Sequence, residues 1–316
     1  MSPQTQSPPS GVTRLPRRRS QSRVWVGIPF LLLLLFGPAH AADWSSLIDR
    51  LGADGFDRRA METLFARPEV VFEPEAMSGK LKGLLRRRSK EADSLAAAVR
   101  RSFYRNYLTH VAISRAQTYL EENKTVLAEV SAKYGVPQEI IVAILLVETR
   151  LGGNTGNRRV FNRLASMARC TDLETLRPFL EASLITPATE DFARRTLREK
   201  SDWAYGELKA LLMLAERDGS DPLAISGSIY GAIGLCQFMP SNVLSYGVDA
   251  DRNGRTDPFA KTDALHSIAN YLRGHGWREG MDREGQQRVI FAYNHSTAYA
   301  DTVLTLAEKI RLPGGP

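Results

Sequence analysis

The sequence YGVPQEIIVAILLVETRLGG spans residues 134–153 and carries an almost uninterrupted apolar run. Pro137 stands where a helix readily begins, and Gly152 stands where one readily ends. The run therefore predicts a long helix that is buried rather than exposed. Upstream of it, residues 111–134 carry apolar side chains at helical spacing and predict another helix that stops at Gly135.

Helical spacing also dominates the rest of the chain. It predicts helices around residues 44–51, 58–65 and 95–108, and a further helix that ends near Gly219. The alternation of polar and apolar residues that is typical of strands does not persist for long anywhere. The predicted fold class is therefore mainly α.

Length and composition narrow the class of protein. The chain has 316 residues, of which 43% are apolar and 24% are charged, as expected of a globular protein with a sizeable core. Its net charge of +7 comes largely from the first 23 residues, and a second basic cluster follows at residues 86–88. Neither cluster is interleaved with aromatic residues, so we expect no nucleic-acid binding. An anionic polymer such as a cell wall remains compatible.

The N-terminus predicts export. Basic residues precede the apolar run VWVGIPFLLLLLF at 24–36, which is short for a membrane span but suits a signal peptide. Ala39 and Ala41 then form a small-x-small cleavage site. We predict a signal peptide over residues 1–41 and a periplasmic mature chain that begins at Ala42. An uncleaved, membrane-associated N-terminus is the alternative.

Several kinds of site have little support in the sequence. The 5 histidines show no metal-spaced pair, so zinc chemistry is not indicated. The G-x-S-x-G motif of many serine hydrolases and the phosphate-binding loop are both missing. Cys170 and Cys236 are the only cysteines. They could pair in an oxidising compartment, and the sequence leaves that question open.

Glu148 is the strongest candidate for a catalytic residue. Ile141, Ile144 and Leu145 lie on the same face of the predicted helix, so the carboxyl projects from an apolar face close to the helix C-terminus. Burial and the negative end of the helix dipole both disfavour the charged form and should raise the pKa of Glu148. A general acid needs that property. The alternative is a structural carboxylate paired with Arg150 or Arg158.

A glycine-rich stretch, GSIYGAIGLCQFMPSN at residues 227–242, follows farther along the chain. Gly227, Gly231 and Gly234 would allow another backbone or a ligand to approach one face closely, and Gln237 would place an amide beside that space. Glycines before a helix also serve as packing or turn residues, and that interpretation stays open.

The aspartate-rich stretch DADRNGRTDPFAKTD, residues 249–263, predicts a metal site. Asp249, Asp251 and Asn253 alternate as in the first half of an EF-hand loop, and Arg255 stands where a backbone carbonyl serves as ligand. The twelfth position is not glutamate, but Asp263 could close a longer loop. A polar turn without metal is the alternative.

Aromatic residues near the C-terminus suggest sugar contacts. The stretch AYNHSTAYA at residues 292–300 places tyrosines beside Asn294, and Tyr271 lies upstream. Tyrosine can stack on sugar rings or donate a hydrogen bond to them, although helical tyrosines are often half-buried core residues.

These four motifs, in this order, resemble the B-type lytic murein transglycosylases from about residue 100 to residue 305. The resemblance implies a lysozyme-like catalytic domain over 121–311, with an EF-hand-like loop, and an accessory helical lobe from the N-terminal helical segment 42–120. It further implies cleavage of the β-1,4 bond between N-acetylmuramic acid and N-acetylglucosamine in glycan strands, leaving 1,6-anhydromuramoyl ends. An extra segment at about 171–200 departs from the family pattern.

The resemblance also assigns roles to residues. It makes Glu148 both the acid and the base and requires no cofactor for catalysis. It assigns substrate contacts to Ser228, Trp203, Gln237, Tyr271, Tyr293, Asn294 and Tyr299. It assigns a structural Ca²⁺ or Na⁺ to Asp249, Asp251, Asn253, Arg255 and Asp263. We expect a monomer whose partners are glycan strands and other cell-wall enzymes.

Two rival functions remain. A hydrolytic muramidase would use the same fold and acid with water as the attacking group, but it would need a second carboxylate across the groove. No motif supplies one. A non-catalytic wall-binding protein would keep the groove and lack turnover.

Overall fold

The structure is a computed structural model that describes residues 43–88 and 104–311. This part of the chain is built almost entirely of helices, so the predicted mainly α class is confirmed. The helices are α1 (Ser45–Ala53), α2 (Arg58–Phe65), α3 (Glu75–Arg88), α4 (His110–Glu122), α5 (Lys124–Tyr134), α6 (Gln138–Thr149), α7 (Val160–Arg169), α8 (Leu173–Leu176), α9 (Glu190–Arg217), α10 (Pro240–Tyr246), α11 (Lys261–Gly274), α12 (Arg283–Tyr293) and α13 (Thr297–Arg311).

Two short strands complete the described part. Strand β1 (Arg158–Arg159) pairs antiparallel with β2 (Ser226–Gly227), with Arg158 opposite Gly227. The predicted signal peptide at residues 1–41 and most of the helix predicted over 95–108 lie outside the described residues.

Helix α6 is the centre of the fold. Its side chains from Ile140 to Val147 are all at most 8% exposed, and α4, α5, α11 and α13 pack around it. Pro137 caps its start, as the sequence indicates. It ends at Thr149, because Arg150 and Leu151 adopt left-handed backbone conformations with φ of 55° and 63°. A helix that is apolar on all sides is stable only when other elements enclose it, and α6 has that environment.

The helix predicted over residues 111–134 is interrupted, which corrects the prediction. Asn123 separates α4 from α5 with φ −115° and ψ 16°, outside the helical range. Its Nδ2 donates to the carbonyl of Tyr119, and its Oδ1 accepts from Lys261. These hydrogen bonds satisfy the polar atoms of the Asn123 side chain, which is only 7% exposed. Since Lys261 lies on α11, the break between α4 and α5 is fixed by a contact with that helix.

The first three helices share the core of the later ones. Helices α1 and α3 pack on α7, and α3 also packs on α9. The ring of Phe65 lies 5.0 Å from that of Phe161 between centroids. The described residues, 43–88 and 104–311, fall in one compact unit, and the domain boundary at residue 120 stays a prediction.

The extra segment at 171–200 is folded. Asp172 caps α8 by accepting from the backbone N–H of Thr175, and short 3-10 turns lead from α8 to α9. Arg86 at the end of α3 pairs with Glu181 at 2.6 Å. The segment is therefore attached to the N-terminal helices.

The two cysteines do not form a disulfide. Cys170 and Cys236 are both free and buried, and burial raises the pKa of each thiol to about 12. In the described residues no single helix is long and apolar enough to cross a membrane. Helices α5 and α6 meet that criterion only when joined across a bend of 112°.

The central position of α6 predicts that shortening its side chains lowers the free energy of unfolding more than shortening exposed side chains elsewhere. Ile144→Ala should lower the free energy of unfolding by about 3 kcal/mol, because it removes a fully buried side chain and leaves a cavity. Val111→Ala on α4, where the side chain is 68% exposed, should change it by less than about 0.5 kcal/mol. Urea denaturation measures both values. Equal losses would contradict the position given to α6.

Candidate active site

Glu148 lies in the last turn of α6, with a partly exposed side chain between the buried residues Val147 and Thr149. Burial raises the pKa of Glu148 to about 7, and a hydrogen bond from Tyr299 opposes part of that rise. The raised pKa that the sequence predicts is therefore confirmed, with desolvation as its main cause. At neutral pH the carboxyl is present in both the protonated and the charged form.

Tyr299 holds this carboxyl in place. Its hydroxyl donates to Oε1 of Glu148 at 2.6 Å, and its ring on α13 is 1% exposed. The short distance is typical of a charge-assisted hydrogen bond. The resemblance assigns Tyr299 to the sugar, and that contact stays a prediction. The structure gives its hydroxyl a contact with the candidate acid instead.

The described residues do not show Glu148 in a structural ion pair. Among them, no Lys or Arg lies within ion-pair distance of Glu148. The guanidinium of Arg150 instead forms a hydrogen bond with Tyr107. The hydroxyl of Tyr107 also lies near Glu148, whose charge raises the pKa of that hydroxyl. Since no such cation compensates a charged carboxylate here, no opposite charge offsets the rise in the pKa of Glu148 that burial causes.

The end of α6 is joined to the glycine-rich loop. Oγ1 of Thr149 lies 3.1 Å from the carbonyl of Leu235 and accepts from the N–H of Gly152. Tyr293 reinforces this junction because its hydroxyl donates to the carbonyl of Cys236 at 2.6 Å. The two sequence motifs around Glu148 and Gln237 are thus held side by side by partly buried hydrogen bonds.

The glycines of this loop allow close backbone packing. A Cβ at Gly234 would lie 2.2 Å from the carbonyl oxygen of Pro258, and one at Gly231 would lie 2.9 Å from Leu164. Both glycines have positive φ. The packing interpretation therefore accounts for these positions, with another backbone segment as the close neighbour at Gly234.

Two predicted substrate contacts lie in the same loop. The Oγ of Ser228 accepts from the N–H of Ala232 at 3.0 Å. Gln237 has a left-handed backbone, with φ of 51°, and its Nε2 donates to the carbonyls of Thr155 and Gly234. Both side chains are partly exposed. Their roles toward a sugar stay predictions, and the internal bonds fix where the two groups lie.

Tyr271 and Trp203 are packed into the protein. Tyr271 is 5% exposed, its hydroxyl donates to the carbonyl of Ala292, and its ring stacks on His275. Trp203 is half-buried against the core on α9. In the described part of the chain neither side chain forms a hydrogen bond with Glu148. Their assignment to the sugar stays a prediction, and the structure gives both a packing role.

A large cleft lies beside Tyr104, and Glu148 is not among the described residues that line it. It has a volume of about 920 Å³, and Asn294 and Tyr104 line it. The Tyr104 ring meets that of Tyr299 edge-on, with centroids 6.2 Å apart, and Tyr299 contacts Glu148. The predicted residue Asn294 therefore lies on the same cleft. Tyr104 and Tyr107 were not predicted from the sequence, because only the folded chain brings residues 104–107 to the end of α6.

The predicted metal loop gathers three carboxylates. Oxygen atoms of Asp249, Asp251 and Asp263 all lie within 4.8 Å of one another. Ca²⁺ binds oxygen ligands at about 2.3–2.6 Å, so oxygens around one ion are up to about 5 Å apart. The donor type and spacing fit such an ion. Asp263 is fully buried, and its two oxygens accept from the N–H groups of Ala250 and Asp257.

The other two predicted ligands shape the turn. Oδ1 of Asn253 accepts from the backbone N–H of Arg255 at 2.9 Å, and Gly254 between them has φ of 88°. Metal ligation by the Asn253 side chain and by the Arg255 carbonyl stays a prediction.

Comparison with known proteins gives the same picture. A family model described as "Transglycosylase SLT domain" matches residues 39–286. The curated protein membrane-bound lytic murein transglycosylase B of Escherichia coli (strain K12) is 35% identical over 147 residues. That match covers 46% of this chain and 34% of the relative, so the chain spans about a third of the relative's length.

Solved structures share the fold. The catenated lytic transglycosylase SltB1 from Pseudomonas aeruginosa is 25% identical, with a TM-score of 0.63, and the match covers 85% of this chain and 98% of that one. The Escherichia coli lytic transglycosylase Slt35 in complex with calcium is 23% identical, with a TM-score of 0.60, and the match covers 84% and 91%. The resemblance and the lysozyme-like fold predicted from the sequence are confirmed; the accessory lobe and the EF-hand-like loop stay predictions.

The raised pKa of Glu148 predicts how stability depends on pH. Because the folded state holds this proton more tightly than the unfolded chain, Glu148 lowers stability as the pH rises from 4.5 to about 7. The Glu148→Gln variant cannot ionise at this position. Its free energy of unfolding should equal that of the unaltered protein at pH 4 and be about 3 kcal/mol higher at pH 8.

Urea denaturation across this pH range measures the difference. Glu122→Gln, at an exposed carboxyl on α4, is the matched control and should follow the unaltered protein at every pH. The same pH dependence in all three proteins would show that the pKa of Glu148 is not raised.

Proposed function

This chain belongs to the transglycosylase SLT domain family, and from that premise we propose that it is a peptidoglycan lytic transglycosylase. It cleaves the β-1,4 bond between N-acetylmuramic acid and N-acetylglucosamine and leaves 1,6-anhydromuramoyl ends. The observation that carries the proposal is a single carboxyl, Glu148, whose pKa of about 7 suits it to both give and take a proton at neutral pH. The lytic murein transglycosylase named above supports the substrate class.

The reaction needs only one protein carboxyl. Protonated Glu148 gives its proton to the glycosidic oxygen while the bond to C1 of the muramoyl residue breaks. The N-acetyl group of that residue stabilises the developing positive charge. The carboxylate then takes the proton of the C6 hydroxyl, whose oxygen attacks C1 and closes the anhydro ring. The first proton stays on the hydroxyl of the departing sugar, the C6 proton restores the protonated Glu148, and no water is consumed.

The surroundings of Glu148 favour this reaction over hydrolysis. Glycosidases that use water place a second carboxylate near the first, at about 5–9.5 Å. Among the described residues, burial and the Tyr299 hydroxyl account for the shifted pKa of Glu148, and no second Asp or Glu contributes to that shift. A hydrolytic muramidase is therefore the second candidate, and a non-catalytic wall-binding protein is the third.

The cleft provides the substrate contacts of the proposal. Asn294 lines it directly, and Tyr293 lies between the glycine-rich loop and Tyr299. We assign sugar contacts to these two residues, to Ser228 and to Gln237. The amide nitrogen of Gln237 already donates to two backbone carbonyls of this chain. The side-chain carbonyl oxygen of Gln237 is therefore the atom that would accept a hydrogen bond from a sugar hydroxyl.

The cellular setting belongs to the proposal as well. An enzyme with this substrate has to be exported, which agrees with the signal peptide predicted over residues 1–41. We propose a periplasmic, monomeric enzyme that acts on glycan strands together with other cell-wall enzymes.

A structural cation belongs to the proposal too. The donor set of Asp249, Asp251 and Asp263 suits a hard cation, with Ca²⁺ as first choice and Na⁺ as second. When bound, the ion would neutralise three carboxylates that repel one another, and it would supply no chemistry at Glu148. The loop contacts the glycine-rich motif through Pro258, whose carbonyl accepts from the N–H of Leu235 at 2.8 Å.

Replacement of Glu148 separates the candidate functions. Purified sacculi digested by the unaltered protein should give muramoyl products one water lighter than hydrolytic products, as mass spectrometry resolves. Glu148→Gln should lower turnover by about a thousandfold, because it removes the proposed proton donor and acceptor. Glu122→Gln should keep full turnover. Reducing ends would identify a hydrolase, and absence of products would identify a binding protein.

Calcium should stabilise the fold without entering the reaction. At about 100 times its Kd, Ca²⁺ should raise the Tm by about 5 °C, since it binds only the folded chain. Asp263→Asn should abolish this rise. Asp257→Asn, in the same loop but outside the carboxylate cluster, should keep it. A rise of equal size in Asp263→Asn would rule out the site.

A further inference from the structure

Arg163 on α7 is a buried cation with partners in two distant segments. Its Nε donates to the carbonyl of Ile229 at 2.9 Å, and its Nη1 pairs with Oε2 of Glu73 at 2.6 Å. Arg163 is only 7% exposed, so its charge needs the compensation that Glu73 supplies. Glu73 belongs to the link between α2 and α3, residues 66–74, and Ile229 belongs to the glycine-rich loop. The guanidinium therefore joins the N-terminal helices to that loop.

The glycine-rich loop packs directly on α7. A Cβ at Gly227 would lie 2.7 Å from Cγ2 of Val160, and one at Gly231 would lie 2.9 Å from Leu164. Val160 precedes Arg163 and Leu164 by three and four residues, so the three side chains share one face of the helix. The loop thus meets the guanidinium on the face of α7 on which it packs.

The link between α2 and α3 is fastened to α7 by its backbone. The carbonyl of Glu69 accepts from Nδ2 of Asn162 at 2.9 Å, and the N–H of Glu73 donates to Oγ of Ser166 at 2.8 Å. These bonds hold the start and the end of the same short stretch. The carboxylate of Glu73 is therefore fixed within reach of Arg163 before any contact with the loop is made.

The loop depends on this anchor at its turn, residues 228–231. The N–H of Gly231 donates to the carbonyl of Ser228 at 3.1 Å, and Oγ of Ser228 accepts from the N–H of Ala232 at 3.0 Å. The side chain of Ile229 is 52% exposed, so burial of that side chain contributes little to holding the turn. Its carbonyl, bound to Arg163, ties the turn to the core instead.

We propose that Arg163 and Glu73 are a positioning pair for the proposed reaction. The pair sets the turn that carries Ser228 at a fixed place on α7, and it makes the N-terminal helices part of substrate binding. The inference rests on the proposed function, which assigns a sugar contact to Ser228. Neither residue of the pair touches Glu148, so the pair acts on how the glycan is held and leaves the proton transfers unchanged.

A matched pair of arginine variants tests this role. Arg163→Met should raise KM about tenfold for a soluble tetrasaccharide of alternating N-acetylglucosamine and N-acetylmuramic acid, with little change in kcat. Arg159→Met is the control, because Arg159 also joins the N-terminal link to the later chain. Its guanidinium donates to the carbonyls of Glu69 and Leu223 and not to the turn. It should lower the Tm by a similar amount and leave KM unchanged.

Arg163→Lys covers the case in which Arg163→Met folds poorly. Lysine keeps the positive charge opposite Glu73 but has one nitrogen in place of the two that contact Glu73 and Ile229. We therefore expect a Tm close to that of the unaltered protein and a KM that is still raised several-fold. The ion pair and the loop contact are separated in this way.

Hydrogen exchange reads the turn without any substrate. The backbone amides of residues 228–232 should exchange on the order of tenfold faster in Arg163→Met and Arg163→Lys, since the turn then opens more readily. In Arg159→Met they should exchange as in the unaltered protein. Mass spectrometry of peptic fragments of the full chain resolves this segment.

Three results would overturn the proposal. They are an unchanged KM in both Arg163 variants, an equal rise of KM in Arg159→Met, and unchanged exchange of the turn in both Arg163 variants. Failure of the proposed function looks different, because the unaltered protein would then release no anhydro product from sacculi, whatever the exchange rates of the turn.

Discussion

A carboxyl group in largely apolar surroundings is the constraint on which the proposed site depends. Glu148 lies at the end of α6, a helix whose apolar faces four other helices cover. Because no cation of the described residues compensates its charge, burial raises its pKa to about 7. The hydroxyl of Tyr299 donates to this carboxyl at 2.6 Å, and that bond fixes the direction of the carboxyl. Acidity and position thus come from packing rather than from charged neighbours.

The support for this carboxyl extends through backbone contacts. Thr149 joins the end of α6 to the carbonyl of Leu235, and the N–H of Leu235 donates to Pro258 in the aspartate-rich loop. Gly234 permits that approach, since a side chain there would collide with Pro258. The proposed cation would therefore stabilise the cleft through the backbone, which agrees with a structural role away from the reacting bond.

Much of the fold and part of the site could be predicted from the sequence. Helix α2 was predicted correctly because Asp57 caps it locally, and α6 because its apolar run is unbroken. The break at Asn123 could not be predicted, since it depends on Lys261, which is distant in the chain. The sugar contact that the resemblance assigns to Tyr299 stays a prediction, and its hydrogen bond to Glu148 is visible only in the folded chain.

The sequence by itself determined the helical class, the buried helix and the identity of the acidic residue in its last turn, because periodicity and composition act over neighbouring residues. Only the tertiary structure decided what surrounds that residue. Tyr299, which donates to the acid, and Tyr107, which lies near it, come from segments far from Glu148 in the chain. Burial and electrostatic interactions depend on distances in space, and no local pattern records those distances.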